Sequence, residues 1–289
     1  MREGRPSTTA AAVALARGVA RIAPAAAGLA GDPMAEMMLT GLPAALLRAV
    51  QAASGLPGLS AALSAISLGL VDHIALRTDA IDRALLAGLA AGARQLVILG
   101  AGLDARAFRV DALADVVAFE VDHPATQAYK RARARAQAPR AREVRFVSVD
   151  FERQRLGDEL AAAGHDPSIP TFWIWEGVTP YLYPDAIHAT IAAVRARSAA
   201  SSRLATTYLE PEIARYGRSL ALAGRAIVEI VGEPLRGIVS PADIAGWLGE
   251  HGLTVLDDSG PPDWARRAGF GSLRARTLPL RERLVVAGI

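Results

Sequence analysis

The sequence predicts an α/β protein built on a seven-stranded, mostly parallel sheet, with a helical N-terminal cap and an inserted helical lid. Three observations predict it. Short apolar runs recur from Gln95 onward, at 95–100, 116–121, 144–149, 171–175, 203–208, 253–257 and 282–288. Helix-length stretches separate most of them, and strands alternating with helices imply a parallel sheet with helices on both faces. Leu96 to Leu99 are four apolar residues in succession, as expected of a strand buried on both sides.

The elements follow in order. Residues 7 to 91 read as helices. Ser7-Thr8-Thr9 offer a cap for the first, the stretch from Gly28 to Pro33 breaks it, and Gly41-Leu-Pro43 and Ser54 to Gly58 are further breaks. Thr78-Asp79 reads as the cap of a helix running to about Ala91. Ser240-Pro241-Ala242-Asp243 carries a strong start signal, with serine as N-cap, proline first in the helix and an acid in its first turn. Between them, 209–239 reads as an insertion with apolar residues at Ile213, Leu220, Leu222, Ile227, Val228 and Ile230. It is expected to cover the carboxyl ends of the strands, where α/β sheets bind ligands. The last two strands are joined by a long Pro- and Gly-containing loop with no evident helix, and are expected to form an antiparallel pair at the sheet edge. The expected organisation is a helical cap over 1–91 and a core over 92–289.

Composition narrows the function classes. The chain has 289 residues and no cysteine, which excludes disulfides, thiolate metal ligands and cysteine nucleophiles. The five histidines (73, 123, 165, 188 and 251) lack ligand-like spacing, so no metal is expected. The 52% hydrophobic content rests largely on alanine, and no uninterrupted apolar run approaches the roughly 18–20 residues that span a bilayer. Arg17 and Arg21 interrupt the apolar N-terminal stretch and disfavour a signal peptide. A cytoplasmic protein is the default expectation. The formal charge is only +3, and Lys130 is the single lysine. The run Lys130, Arg131, Arg133, Arg135 spreads charge around an alanine-rich helix and reads as a solvated helix end, so neither nucleic acid nor membrane is expected as a partner.

The densest information lies in Gln95 to Arg106 and Phe119 to Pro124. Gly100 and Gly102 let the chain turn sharply after a strand and approach a ligand closely. Asp122 stands twenty residues past Gly102, at the end of the next strand, a spacing that suits a carboxylate on the two hydroxyls of a ribose. An adenosine-containing cofactor follows. Gly100-Ala101-Gly102-Leu103-Asp104-Ala105 matches the short dinucleotide pattern G-x-G-x-x-A, which favours a nicotinamide enzyme. Asp104 argues against it, because an anion in that turn repels a pyrophosphate but suits an ammonium and a sulfonium. Asp150 and Phe151, just past the third strand, can receive an adenine amine and stack on its ring. Each acid alone reads more simply as a cap or turn residue; three at successive strand ends point to a site.

At this point the sequence resembles a known family. Leu-Gly-Ala-Gly-Leu-Asp-Ala-Arg (99–106), Phe-Glu-Val-Asp-His-Pro (119–124), Val-Asp-Phe (149–151) and Trp-Glu-Gly-Val-Thr-Pro-Tyr-Leu (175–182) look like the leucine carboxyl methyltransferases, S-adenosylmethionine-dependent O-methyltransferases on a Rossmann-like sheet. The resemblance runs from about Arg77 to Tyr208. It implies that Arg77 holds the cofactor carboxylate, and that Gly100, with Ala101 and Gly102 around it, lies at the methionine part. It further implies that Asp122 binds the ribose, that Asp150 and Phe151 meet the adenine, and that Glu176, followed by Gly177, faces the cofactor. Ala105 departs from the threonine that many members carry. The family includes protein phosphatase methyltransferases and bacterial members of natural-product pathways; nothing in this sequence suggests a phosphatase partner.

Methyl transfer is an in-line displacement at a carbon already activated, so the protein mainly aligns the reactants. A carboxylate acceptor is ionised at neutral pH and needs no base, whereas a phenol or alcohol does. Candidate catalytic groups are Tyr181, His123 and Tyr208, with Tyr183 as a further guess. His123 follows Asp122 directly and reads more simply as a helix cap. The expected activity is methyl ester formation on a small-molecule or peptide acceptor. The alternatives are methylation of a hydroxyl, a nicotinamide-dependent oxidoreductase, and a non-catalytic cofactor-binding protein.

Overall fold

The computed structural model describes residues 8–22, 29, 32–67, 69–150, 154–211, 235–270 and 281–289. Five helices come first: α1 (Thr8–Ile22), α2 (Ala35–Met38), α3 (Gly41–Ala52), α4 (Leu59–Ile66) and α5 (Leu70–Ala90). Then strands and helices alternate: β1 (Gln95–Leu99), α6 (Arg106–Arg109), β2 (Val117–Asp122), α7 (Pro124–Ala134), β3 (Glu143–Ser148), α8 (Leu156–Ala162), β4 (Thr171–Trp175), α9 (Pro184–Ala196) and β5 (Arg203–Leu209). The chain ends with α10 (Pro241–Glu250), β6 (Thr254–Ser259), α11 (Pro261–Arg267) and β7 (Glu282–Gly288).

The sheet order is β3-β2-β1-β4-β5-β7-β6, parallel throughout except that β7 runs antiparallel to both neighbours. All seven expected strands form, and the last two pair at the edge as expected. Alternation along each strand explains the two-sided burial. Leu96 and Ile98 of β1, with Phe172 and Ile174 of β4, face a core shared with α1, α3, α5 and α11. Val97, Leu99, Trp173 and Trp175 face a second core with α8, α9 and α10. β1 and β4 are neighbours whose connections leave in opposite directions, so a crevice opens beyond their carboxyl ends, where such sheets bind ligands.

Three local expectations are corrected. Thr78 is no cap: α5 starts at Leu70, and the Thr78 hydroxyl donates to the carbonyl of Ile74 one turn back at 2.7 Å. The loop before β7 contains α11, whose Pro261 and Pro262 occupy the first turn, where proline's fixed φ suits a helix and its missing N–H costs nothing. Lys130 is buried at 1% exposure, its ammonium 2.7 Å from the buried Glu120 of β2, while Arg131, Arg133 and Arg135 are exposed as expected. Helix α5 packs tightly on the sheet; a Cβ at Gly88 would come within 2.2 Å of the Phe172 ring. Ser240 caps α10 as expected, accepting from the backbone N–H of Asp243 at 3.1 Å. Most of the inserted segment, 212–234, lies outside the described residues, as do Ser7 and Phe151. Among the described residues no single helix is long and apolar enough to cross a membrane.

Candidate active site

The glycine loop after β1 is built by backbone demands. Gly100 and Gly102 have φ of +65° and +48°, the left-handed region that side chains disfavour. At Gly100 the reason is also spatial, since a Cβ would lie 2.5 Å from Cγ2 of Val178. The N–H of Ala101 donates to the carbonyl of Val121 at 2.9 Å, and Asp122 accepts the N–H of Gly102, so the loop is tied to the end of β2. Helix α1 lies over it: Ala10 faces Gly102, and Arg17 donates to the carbonyl of Leu103 at 2.9 Å. Gly177, also at positive φ, donates its N–H to the Thr207 hydroxyl at 2.9 Å, tying the loop after β4 to β5.

Beside this loop sits a buried ionic network. Glu176 follows β4 and bridges two guanidiniums: one oxygen lies 2.7 Å from Arg77 Nη2, the other 2.8 Å from Arg106 Nη1. Arg106 also binds Asp104 and, through Nε, Asp82 at 2.7 Å, and Asp82 meets Arg109 at 2.7 Å. Nη1 of Arg77 donates to both oxygens of Glu282 at 3.0 and 2.9 Å. His73 Nε2 stands 2.6 Å from Glu282. Four carboxylates thus face three guanidiniums. Burial alone would neutralise these acids, yet the facing arginines overcome it and hold Asp104 and Glu176 below the usual carboxylate range. Glu282 is lowered in the same way, to about 2.

Three guanidinium nitrogens of this network are buried and without a hydrogen-bond acceptor among the described residues: Nε of Arg77, Nη2 of Arg106 and Nε of Arg109. A buried guanidinium N–H without an acceptor is costly, so those of Arg77 and Arg106, which flank Glu176, mark where a negative ligand group would be welcome.

The structure brings Arg77, Gly100, Ala101, Gly102, Asp104, Asp122, Glu176 and Gly177 to the carboxyl ends of β1, β2 and β4. Asp104 lies differently from expectation: both its oxygens engage Arg106, one accepting the backbone N–H and one the side chain. Asp150 follows β3, its N–H donating to Gln154 at 2.8 Å. His123 is the N-cap of α7, its Nδ1 accepting from Ala125 at 3.2 Å. Tyr208 is turned away: its hydroxyl donates to Asp258 of β6 at 2.8 Å, and burial raises its pKa well above the ordinary phenol value. Tyr181 ends a single 3₁₀ turn, Thr179–Tyr181, just after Gly177, and is half-buried. Arg106, Asp82 and Glu282 escaped the sequence reading. Arg106 closes a quoted motif and so carried a signal; Glu282 did not, because it lies far along the chain and only sheet pairing brings it here.

Residues 10–195 match the family described as leucine carboxyl methyltransferase. A protein of Streptomyces avermitilis, provisionally named an S-adenosyl-L-methionine-dependent methyltransferase, is 41% identical over 181 residues, 62% of this chain and 61% of that one. A Frankia alni protein with a similar provisional name is 40% identical over 176 residues, 61% of this chain and 59% of that one. The matches thus span about three fifths of these relatives' length. The crystal structure of a DUF574 family protein from Streptomyces avermitilis superposes with TM-score 0.59 at 16% identity, covering 94% of this chain and 96% of that one. That of a provisionally named methyltransferase from Thermobifida fusca gives 0.54 at 17%, covering 99% and 95%. These two share the fold. The family match covers well over half of the chain, from α1 to the end of α9, and the chain belongs to the leucine carboxyl methyltransferase family.

Proposed function

We propose that this protein is an S-adenosylmethionine-dependent O-methyltransferase that esterifies a carboxylate on a small-molecule or peptide acceptor. The observation that carries the reading is the network around Glu176, whose flanking Arg77 and Arg106 each keep a buried, unpaired guanidinium donor. The cofactor carries a carboxylate, which complements these donors, beside an ammonium and a sulfonium. Arg77 and Arg106 have the free donors to hold the cofactor carboxylate. Asp122, at the end of β2, is assigned to the ribose hydroxyls. Asp150 is assigned to the adenine, together with Phe151. The provisional names of the relatives support the same cofactor.

When bound, the cofactor supplies a methyl group activated by its sulfonium. This chain's residues then have to orient the acceptor and exclude water. The candidate bases are otherwise engaged. In a neutral His123 ring, Nδ1 accepts a backbone N–H, so Nε2 carries the proton and has no lone pair to take another. The Tyr208 hydroxyl is committed to Asp258. With His123 and Tyr208 both committed elsewhere, an acceptor that is already ionised fits the site best.

The test is incubation with methyl-labelled S-adenosylmethionine and a panel of carboxylic acids, phenols and amines. Methyl esters release labelled methanol in mild alkali, whereas aryl ethers and N-methyl products do not. Base-labile label on acids supports the reading; label only on phenols or amines removes the carboxylate part of it.

A further inference from the structure

The wall of the site opposite Glu176 comes from the far end of the chain. Glu282 is the first residue of β7, 4% exposed, in register with Leu209 at the end of β5. Antiparallel pairing is what brings the start of β7 to the same end of the sheet as the carboxyl ends of the parallel strands. Glu282 chelates Nη1 of Arg77 with both oxygens, and buried His73 backs it at 2.6 Å. His73 is itself fixed against the Trp264 ring of α11, 5.8 Å between centroids. Glu282 and Trp264 lie beyond the family match, which ends at residue 195, whereas His73 and Arg77 lie within it.

We infer that Glu282 is a positioning residue for Arg77, setting the guanidinium so that Nε is left for the carboxylate of the cofactor; this rests on the cofactor reading above. An arginine side chain has several rotatable bonds, and freezing it costs up to ~2 kcal/mol of rotamer entropy. Glu176 cannot do this alone, because its second oxygen serves Arg106. Glu282 grips the remaining terminal nitrogen, so the two carboxylates between them occupy Nη1 and Nη2. The strand that closes the sheet therefore completes the site begun by α5 and β4.

The experiment is calorimetric titration of the full-length protein and its Glu282→Gln variant with two probes. S-Adenosylhomocysteine carries the amino-acid end; 5′-methylthioadenosine shares the adenosine and sulfur but lacks that end. A positioning role predicts S-adenosylhomocysteine bound about tenfold more weakly by the variant, the scale of one charge-assisted hydrogen bond, with 5′-methylthioadenosine unchanged. Glu282→Asp, which keeps the charge at shorter reach, should recover part of the loss. If the Glu282→Gln change compromises folding, Glu282→Asp alone carries the test with the same contrast between probes. Equal weakening of both probes would mean a packing role and overturn the inference, as would unchanged or tighter S-adenosylhomocysteine. Wild-type protein that binds neither probe would overturn the cofactor reading itself, and the inference with it.

Discussion

The carboxylate of Asp122 accepts the backbone N–H of Gly102, so the end of β2 grips the turn that leaves β1. Its other oxygen accepts the N–H of His123 at 2.6 Å. Burial raises the Asp122 pKa, and these two N–H groups only partly oppose it. Asn at this position keeps an acceptor for Gly102 but loses the charge, and Ala loses both. Asp122→Asn is expected to weaken S-adenosylhomocysteine binding about 10-fold or more, with Ala worse, since charged hydrogen bonds contribute about 1.5–3 kcal/mol each. Wild-type affinity should fall on acidification at a pH above the ordinary aspartate value, because protonation removes an acceptor. Calorimetry across pH reads both, and affinity unchanged in either variant would remove Asp122 from the site.

Lys130 and Glu120 are buried opposite charges 2.7 Å apart. Burial raises the Glu120 pKa despite the ammonium. Removing one partner leaves the other charge stranded, so Lys130→Met should destabilise the protein by about 3–5 kcal/mol in urea unfolding. The double change Lys130→Met with Glu120→Gln should cost clearly less. Additive losses would show that the two do not act as a pair.

That pair also shows what the sequence could and could not convey. The strands were legible because burial on both faces demands unbroken apolar runs, and the glycine loop because φ near +60° demands glycine. Asp122 and Glu176 were legible as acids at strand ends. Lys130 was not, since nothing in a helical run of cations tells which one turns toward a glutamate on a strand. Glu282 and His73 meet Arg77 only through antiparallel pairing and the packing of α5, which are tertiary events. The start of α5 was missed because Thr78 has the chemistry of a cap, yet eight residues of helix precede it and its hydroxyl is satisfied internally.

Gly100 is required both for its backbone angle and for the room it leaves Val178. Gly100→Ala should lower stability by about 1–2 kcal/mol from the left-handed backbone alone, with the clash in addition. Combining it with Val178→Ala should recover the clash part and leave the backbone part. Urea unfolding of the three variants separates them; no recovery in the double variant would mean that the contact with Val178 is immaterial.

The depressed acids make stability depend on pH in a defined direction. Burial would raise the Glu282 pKa, but the facing Arg77 and His73 outweigh it and bring the value from an ordinary 4.5 to about 2. A carboxylate with a lowered folded-state pKa stabilises fully above its unfolded value and loses that contribution as pH drops through the folded one. Stability should therefore decline as pH falls from about 4.5 toward 2. Glu282→Gln should be less stable at neutral pH and show a flatter decline in that window. Parallel pH profiles for the two proteins would contradict the assignment.

The cofactor-binding roles assigned to Arg77, Asp122, Glu176 and Glu282 depend on the crevice beyond β1 and β4 holding S-adenosylmethionine. Calorimetric titration of the wild-type protein with S-adenosylhomocysteine, with NADH as the parallel ligand, decides it. Saturable, micromolar binding of the first and none of the second is expected. Binding of NADH without S-adenosylhomocysteine would contradict the cofactor assignment and turn the glycine loop into a nicotinamide site.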